Sequence, residues 1–120
     1  MFARMMVVGV VGVILISSWA MAESLSGNPK KGEAIYQQHC VRCHGASGDG
    51  LGRDIKDLIV PPANFQSLKS RSKTDSELLL AIKQGVLFSP MHGWQGRLSE
   101  QDMLDVLSYI RSLAPFNPVS

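Results

Sequence analysis

The sequence has no marked excess of positive or negative charge. Its 120 residues carry 12 Lys and Arg against 10 Asp and Glu, a formal net charge of +2 at pH 7. Proteins that bind nucleic acids or anionic membranes usually present a marked excess of Lys and Arg. The composition therefore indicates neither a nucleic acid nor an anionic membrane surface as a partner.

Strand patterns, internal repeats and low-complexity tracts are also missing. A sheet needs several short segments in which apolar and polar residues alternate, and no such series is present. The apolar residues recur instead at the spacing of amphipathic helices. We therefore predict an all-α fold of three to four short helices in one domain.

The one long apolar run lies at the N-terminus. Arg4 precedes an almost uncharged stretch from Met5 to Trp19, and Ala20-Met21-Ala22 follows as a small-residue cleavage site. This order is typical of a secretory signal peptide, and the run of about 15 residues is shorter than the roughly 20 that span a bilayer. We predict a signal over 1–22 with cleavage before Glu23, and a mature domain over 23–120 that is exported to the periplasm. An uncleaved anchor is the alternative.

Cysteine is limited to two residues, and their placement is informative. They occur in Cys40-Val41-Arg42-Cys43-His44, the C-x-x-C-H order that marks attachment of c-type haem. Two thiols can bond to the vinyl groups at one edge of a porphyrin, and the adjacent imidazole can bind its iron. A redox dithiol, half of a zinc site and a structural disulfide stay open as alternatives, although a zinc site would need two further ligands.

Three segments carry the start and stop signals of helices. They are 28–39, where Asn and Pro begin the helix, Thr74 to Gly85, and Ser99 to Pro115. The first segment leads directly into the cysteine motif. Gly32 within it costs up to about 1 kcal/mol relative to Ala, which predicts that another element packs closely there.

Between the cysteine motif and the second helix the sequence becomes rich in glycine and proline. Gly48, Gly50 and Gly52 predict a loop with positive-φ turns. The extended segment 61–65, which begins Pro-Pro, is suited to supplying the backbone carbonyl that a metal-bound histidine such as His44 normally contacts.

Met91 is the candidate sixth ligand of the iron. After removal of the signal only Met91 and Met103 remain, and Met103 falls on the apolar face of the last helix. A thioether opposite an imidazole is a known ligand pair of haem iron. His92 is the rival ligand, and Trp94 is expected to pack nearby, either against the haem edge or in the core.

Over nearly its whole length the mature chain resembles the small monohaem class I c-type cytochromes of bacteria. The resemblance rests on a first helix with Gly32 and Tyr36, the Cys40–Gly45 motif, the glycine-rich loop, Pro61-Pro62, Pro90-Met91 and a last helix containing Tyr109. It implies thioether bonds from Cys40 and Cys43, His44 as proximal ligand, Met91 as distal ligand, and a ligand-orienting carbonyl from Pro61 or Pro62. It also implies that the first and last helices cross near Gly32.

The resemblance implies one covalently bound haem c and one-electron transfer. With both axial positions filled, the iron has no open site, so we expect no enzymatic activity and no small-molecule substrate. The expected partners are redox proteins met transiently by a monomeric carrier, with membrane contact only through those partners or an uncleaved signal. The alternatives are a cytochrome subunit fixed to a dehydrogenase or oxidase, and a haem sensor or peroxidase with a displaceable distal ligand.

Overall fold

The computed structural model describes residues 26–118, so the predicted signal peptide lies outside the described residues. The described part contains five helices: α1 (Pro29–His39), α2 (Val41–His44), α3 (Leu68–Arg71), α4 (Asp75–Gln84) and α5 (Glu100–Leu113). It has no strand, only two isolated bridges. The all-α prediction is confirmed. Two of the five helices, α2 and α3, are single turns, which leaves three longer helices where the sequence predicted them.

The longer helices begin at the predicted caps. Asn28 accepts hydrogen bonds from the first backbone N–H groups of α1. Thr74 and Ser99 each form a complete capping box with the residue three positions later, and so begin α4 and α5. In each case the side-chain oxygen pairs an N–H that the helix itself leaves unpaired, which is why these short helices have sharp starts.

Helices α1 and α5 cross at Gly32. A Cβ built there would run into the backbone carbonyl of Asp105 and the Cα of Val106, so only glycine allows this approach. One turn further along α1, the ring of Tyr36 packs on that of Tyr109 with centroids 5.2 Å apart. The close packing predicted at Gly32 is confirmed, and Tyr36 and Val106 lie in the core beneath the crossing.

A buried carboxylate joins the same two helices. Asp105 on α5 is only 2% exposed. Its Oδ1 accepts a hydrogen bond from the backbone N–H of Asn28 (2.7 Å) and one from the side-chain amide of Gln101 (2.9 Å). Because a buried carboxylate without partners is costly, these bonds fix where α1 starts relative to α5.

Within residues 26–118, no helix has the length and apolar character required to cross a bilayer.

Candidate functional site

A cleft of about 520 Å³ opens between the helices, and its walls are largely apolar. Cofactor and ligand sites commonly have volumes of about 300–1,000 Å³. Its lining includes every residue proposed from the sequence as a haem attachment point or iron ligand: Cys40, Cys43, His44, Met91 and the rival His92. Side chains from separate parts of the sequence thus meet in one cavity.

The two thiols reach the cleft because α1 ends just before them. Cys40 caps the end of α1, and its carbonyl accepts hydrogen bonds from the N–H groups of Cys43 (3.2 Å) and His44 (2.9 Å). This single turn presents both thiols and the imidazole to the cavity.

The electrostatics of Cys40 bear on the redox-dithiol alternative. Burial, with a smaller contribution from the neighbouring Cys43, raises the pKa of the Cys40 thiol to about 12. Cysteines that exchange disulfides have pKa values lowered towards neutrality or below. The environment of Cys40 therefore favours an unreactive thiol over a redox-active one.

The ring of His44 is held from two sides. Its Nδ1 lies 3.1 Å from the carbonyl oxygen of Ala63. Since a carbonyl only accepts, Nδ1 carries the hydrogen and Nε2 keeps its lone pair. The ring of Phe65 stacks on the imidazole, with centroids 4.5 Å apart and planes 11° from parallel. His44 is thus fixed in the tautomer that can bind a metal through Nε2.

Burial also favours the neutral form of the imidazole. It lowers the pKa of His44, and the hydrogen bond to Ala63 opposes part of that shift. A neutral imidazole is the form that binds metals.

The expectation that Pro61 or Pro62 supplies this carbonyl is wrong. The segment is anchored by the Phe65 N–H, which donates to the carbonyl of Gly48 at 2.7 Å. In that register the carbonyl that faces the His44 ring is that of Ala63, the residue after Pro62.

The glycine-rich loop supports the cysteine turn through its backbone. Three consecutive carbonyls of the turn accept N–H groups from alternate residues of the loop: Arg42 from Asp54, Cys43 from Gly52 and His44 from Gly50, at 2.8–3.1 Å. The carbonyl of the next residue, Gly45, accepts the hydroxyl of buried Tyr36 at 2.7 Å. The loop therefore pairs carbonyls that so short a helix cannot satisfy.

Two of the three loop glycines behave as predicted. Gly48 and Gly50 have φ values of 72° and 79°. Gly52 does not have a positive φ. Its role is close approach, because a Cβ there would collide with the backbone of Arg42 and Cys43. Sequence alone identified the loop but not the element it contacts.

Met91 lines the cleft in a tight turn. Its carbonyl accepts the N–H of Val86 (2.9 Å) and its N–H donates to the hydroxyl of Ser89 (3.2 Å). Met103, by contrast, is 1% exposed in the core. Of the methionines in the described residues, only Met91 lies on the cavity wall.

Two further histidines lie beside Trp94 at the cleft. The indole packs against His39 and His92, with ring centroids 4.8 and 4.5 Å away. Met91 is therefore not the only candidate for the sixth position, and its assignment as the distal ligand stays a prediction. Within 26–118, no three His, Cys, Asp or Glu side chains are grouped so as to hold a metal ion by themselves.

The chain was compared with family models and with curated proteins, and one family model matches. Residues 27–110 match the family model described as cytochrome c oxidase, cbb3-type, subunit III. No curated protein shows a significant match.

Solved structures share the fold at low identity. Cytochrome c6 of the diatom Phaeodactylum tricornutum is 22% identical with a TM-score of 0.57, over 73% of this chain and 95% of its own. The c-type cytochrome NirC is 24% identical with a TM-score of 0.52, over 72% of this chain and 93% of its own. A chain of the reducing HAO-like complex of Kuenenia stuttgartiensis gives a TM-score of 0.65 at 24% identity, over 72% of this chain. The match spans only 43% of that longer chain.

The residues on the cleft wall fit the cofactor of this family, haem c. Two adjacent thiols, a neutral imidazole with a free Nε2 and largely apolar walls are the groups that a covalently bound iron porphyrin requires. Together with the match over 27–110, this means that the chain belongs to the c-type cytochromes, in the family whose model is described as cytochrome c oxidase, cbb3-type, subunit III.

Proposed function

We propose that the protein is a one-electron carrier, not an enzyme. Cys40 and Cys43 attach one haem c through thioether bonds, and His44 and Met91 are its axial ligands. The observation that carries the proposal is that all four side chains line one largely apolar cleft.

The chain's own residues define the site. The Ala63 carbonyl and the Phe65 ring hold His44 in one tautomer and one plane, so its Nε2 is already prepared for the iron. The loop that pairs the carbonyls of Cys43 and His44 keeps the turn rigid. Rigid ligands lower the reorganisation energy of electron transfer, because they move little when the iron changes oxidation state.

The Met91 thioether, which the turn beginning at Val86 presents to the cleft, is the second ligand of the haem iron. When bound, haem c supplies a one-electron Fe(II)/Fe(III) couple. A thioether favours the reduced state, and with both axial positions filled no substrate can reach the iron.

We propose that the protein acts in the periplasm, to which the predicted signal over 1–22 directs it. The partners are other redox proteins, met through a transient interface of less than about 1,200 Å².

The optical spectrum of the exported holoprotein tests the ligand assignment. We expect a low-spin spectrum with the weak far-red sulfur-to-iron band in the ferric form. The band should vanish in Met91→Ala and persist in His92→Ala and in Met103→Leu, a matched change of a methionine in the core. A high-spin ferric spectrum that binds CO readily after reduction would contradict the proposal and favour a sensor or peroxidase. A low-spin spectrum that changes in His92→Ala but not in Met91→Ala would contradict the ligand assignment and identify His92 as the distal ligand.

A second candidate is a cytochrome subunit fixed to a larger redox complex. The family description names an oxidase subunit, and the matched Kuenenia stuttgartiensis chain belongs to a protein complex. Gentle purification from the native host distinguishes the two. A free carrier elutes alone at the size of its own chain, whereas a subunit elutes with a partner in fixed ratio.

A further inference from the structure

His92 lies at the cleft in a position that ligation by Met91 leaves unused. It directly follows Met91 in the chain, and both residues line the cavity. His39 also lines the cavity, but it ends α1 directly before Cys40 and so belongs to the turn that carries the thiols. Of the two histidines other than His44, only His92 is therefore carried by the segment that supplies the proposed distal ligand.

The ring of His92 is held in the same way as that of His44. Its Nδ1 lies 3.1 Å from the carbonyl oxygen of Gly93, the same distance as between the His44 Nδ1 and the Ala63 carbonyl. Since a carbonyl only accepts, Nδ1 of the neutral ring carries the hydrogen and Nε2 keeps its lone pair. Trp94 packs against the ring with centroids 4.5 Å apart. A metal-bound histidine normally has such a hydrogen bond on its second nitrogen, so the tautomer of His92 is one that can bind iron.

The backbone around His92 is anchored without help from the thioether. Before it, the Met91 carbonyl accepts the N–H of Val86 at 2.9 Å. After it, the N–H of Trp94 donates to the carbonyl of Ile82, in the last turn of α4, at 2.9 Å. Neither bond involves the Met91 side chain. Loss of the thioether would therefore leave His92 beside the cleft.

The other nitrogen-bearing side chains on the cleft wall, among the described residues, are poorer candidates. Lys69 and Lys73 end in ammonium groups, which have no lone pair for a metal. The indole N–H of Trp94 is likewise only a donor. His39 has a ligating ring but lies at the thiol turn. His92 is thus the nitrogen ligand that the distal segment itself provides.

We propose that His92 is a reserve axial ligand, which binds the haem iron when the Met91 thioether is lost or displaced. The proposal rests on the proposed function, in which Met91 is the distal ligand of the intact protein. Because His92 is exposed, its side chain has room to turn while the anchored backbone stays in place. The iron then keeps two protein ligands and no open position. The protein stays an electron carrier, but its potential falls, because an imidazole lacks the preference of a thioether for Fe(II).

The Met91→Ala holoprotein at neutral pH tests the proposal by optical and electron paramagnetic resonance spectra of the ferric form. We expect low-spin iron without the far-red sulfur band, and a midpoint potential below that of wild type. Met91→Ala/His92→Ala should be high-spin. The matched control, Met91→Ala/His39→Ala, should stay low-spin, although His39 also lines the cleft and packs on Trp94. Met91→Leu, which is closer in volume to methionine, replaces Met91→Ala throughout if that variant fails to fold.

Added imidazole gives a second measurement. An internal ligand that occupies about nine-tenths of the iron sites lowers the apparent affinity for an external ligand about tenfold. We therefore expect ferric Met91→Ala to bind imidazole at least about tenfold more weakly than Met91→Ala/His92→Ala. The His39 control should bind it as weakly as Met91→Ala does.

High-spin iron in Met91→Ala, with an imidazole affinity equal to that of the His92 double variant, would refute the proposal. Low-spin iron that persists in the His92 double variant would also refute it, because another internal ligand would then be bound. Failure of the proposed function would look different: the wild type itself would lack the far-red band or the covalent haem. A normal wild type together with a high-spin Met91→Ala would remove only the reserve ligand.

Discussion

Replacing Gly32 with alanine tests the packing on which the site depends. At an open helix position this change stabilises, because alanine is favoured over glycine by up to about 1 kcal/mol. At Gly32 the new methyl group would meet the carbonyl of Asp105 and the Cα of Val106. These are backbone atoms of α5, and they cannot turn aside as a flexible side chain could.

The clash therefore has to be relieved by separating α1 from α5. Overpacking of this kind costs about 1–3 kcal/mol and occasionally more. Separation would also strain the bond between the Asn28 N–H and Asp105 and loosen the packing of Tyr36 on Tyr109. Allowing for the gain in helix propensity, we expect Gly32→Ala to lose about 2 kcal/mol of stability.

Urea unfolding of the holoprotein, followed by far-UV circular dichroism, measures the loss. Ala34→Gly is the matched control, because Ala34 is exposed on the same helix and the reverse exchange there should cost no more than about 1 kcal/mol. If Gly32→Ala proved as stable as wild type, or less destabilised than Ala34→Gly, the close crossing of α1 and α5 would be refuted.

Two further predictions concern single hydrogen bonds. Tyr36→Phe removes the bond to the Gly45 carbonyl, but that carbonyl still accepts the N–H of Gly48 at 3.2 Å. Urea unfolding should therefore show a loss of only about 1 kcal/mol, and a loss above about 3 would contradict this pairing. Hydrogen bonds with the side chain and backbone of Ser99 hold the pKa of Asp102 below its ordinary value of 3.8. The ionised carboxylate stabilises fully above that value and loses its effect as pH falls through the lowered pKa. The stability gap between wild type and Asp102→Asn should therefore stay constant down to about pH 4 and shrink below it, whereas a gap that widens in acid would contradict the assignment.

Much of the fold could be predicted because the signals are local. A cap such as Ser99 acts within one turn of its helix, so its effect is visible in the sequence. The order Cys-x-x-Cys-His is likewise local, and it predicted the part of the chain around which the cleft is built. Gly32 indicated a close approach because glycine is otherwise unfavourable inside a helix.

What could not be predicted depends on pairs distant in sequence. Asp105 interrupts the apolar face of α5, and its partner, the N–H of Asn28, lies 77 residues away. The choice of Ala63 over its neighbouring prolines depends on how Phe65 pairs with the glycine loop. Hydropathy also cannot separate Ile82, which is buried, from Ile59, which is almost fully exposed. Burial of each is decided by the packed elements around it.

The central claim is that Cys40 and Cys43 hold a haem covalently in the cleft. The direct measurement is the intact mass of the exported protein under denaturing conditions, which remove any cofactor that is merely bound. We predict a mass equal to the chain plus one haem, and loss of that added mass when both cysteines are replaced by alanine. A wild-type chain that appears without haem under these conditions, after production with the haem-attachment machinery present, would contradict the account.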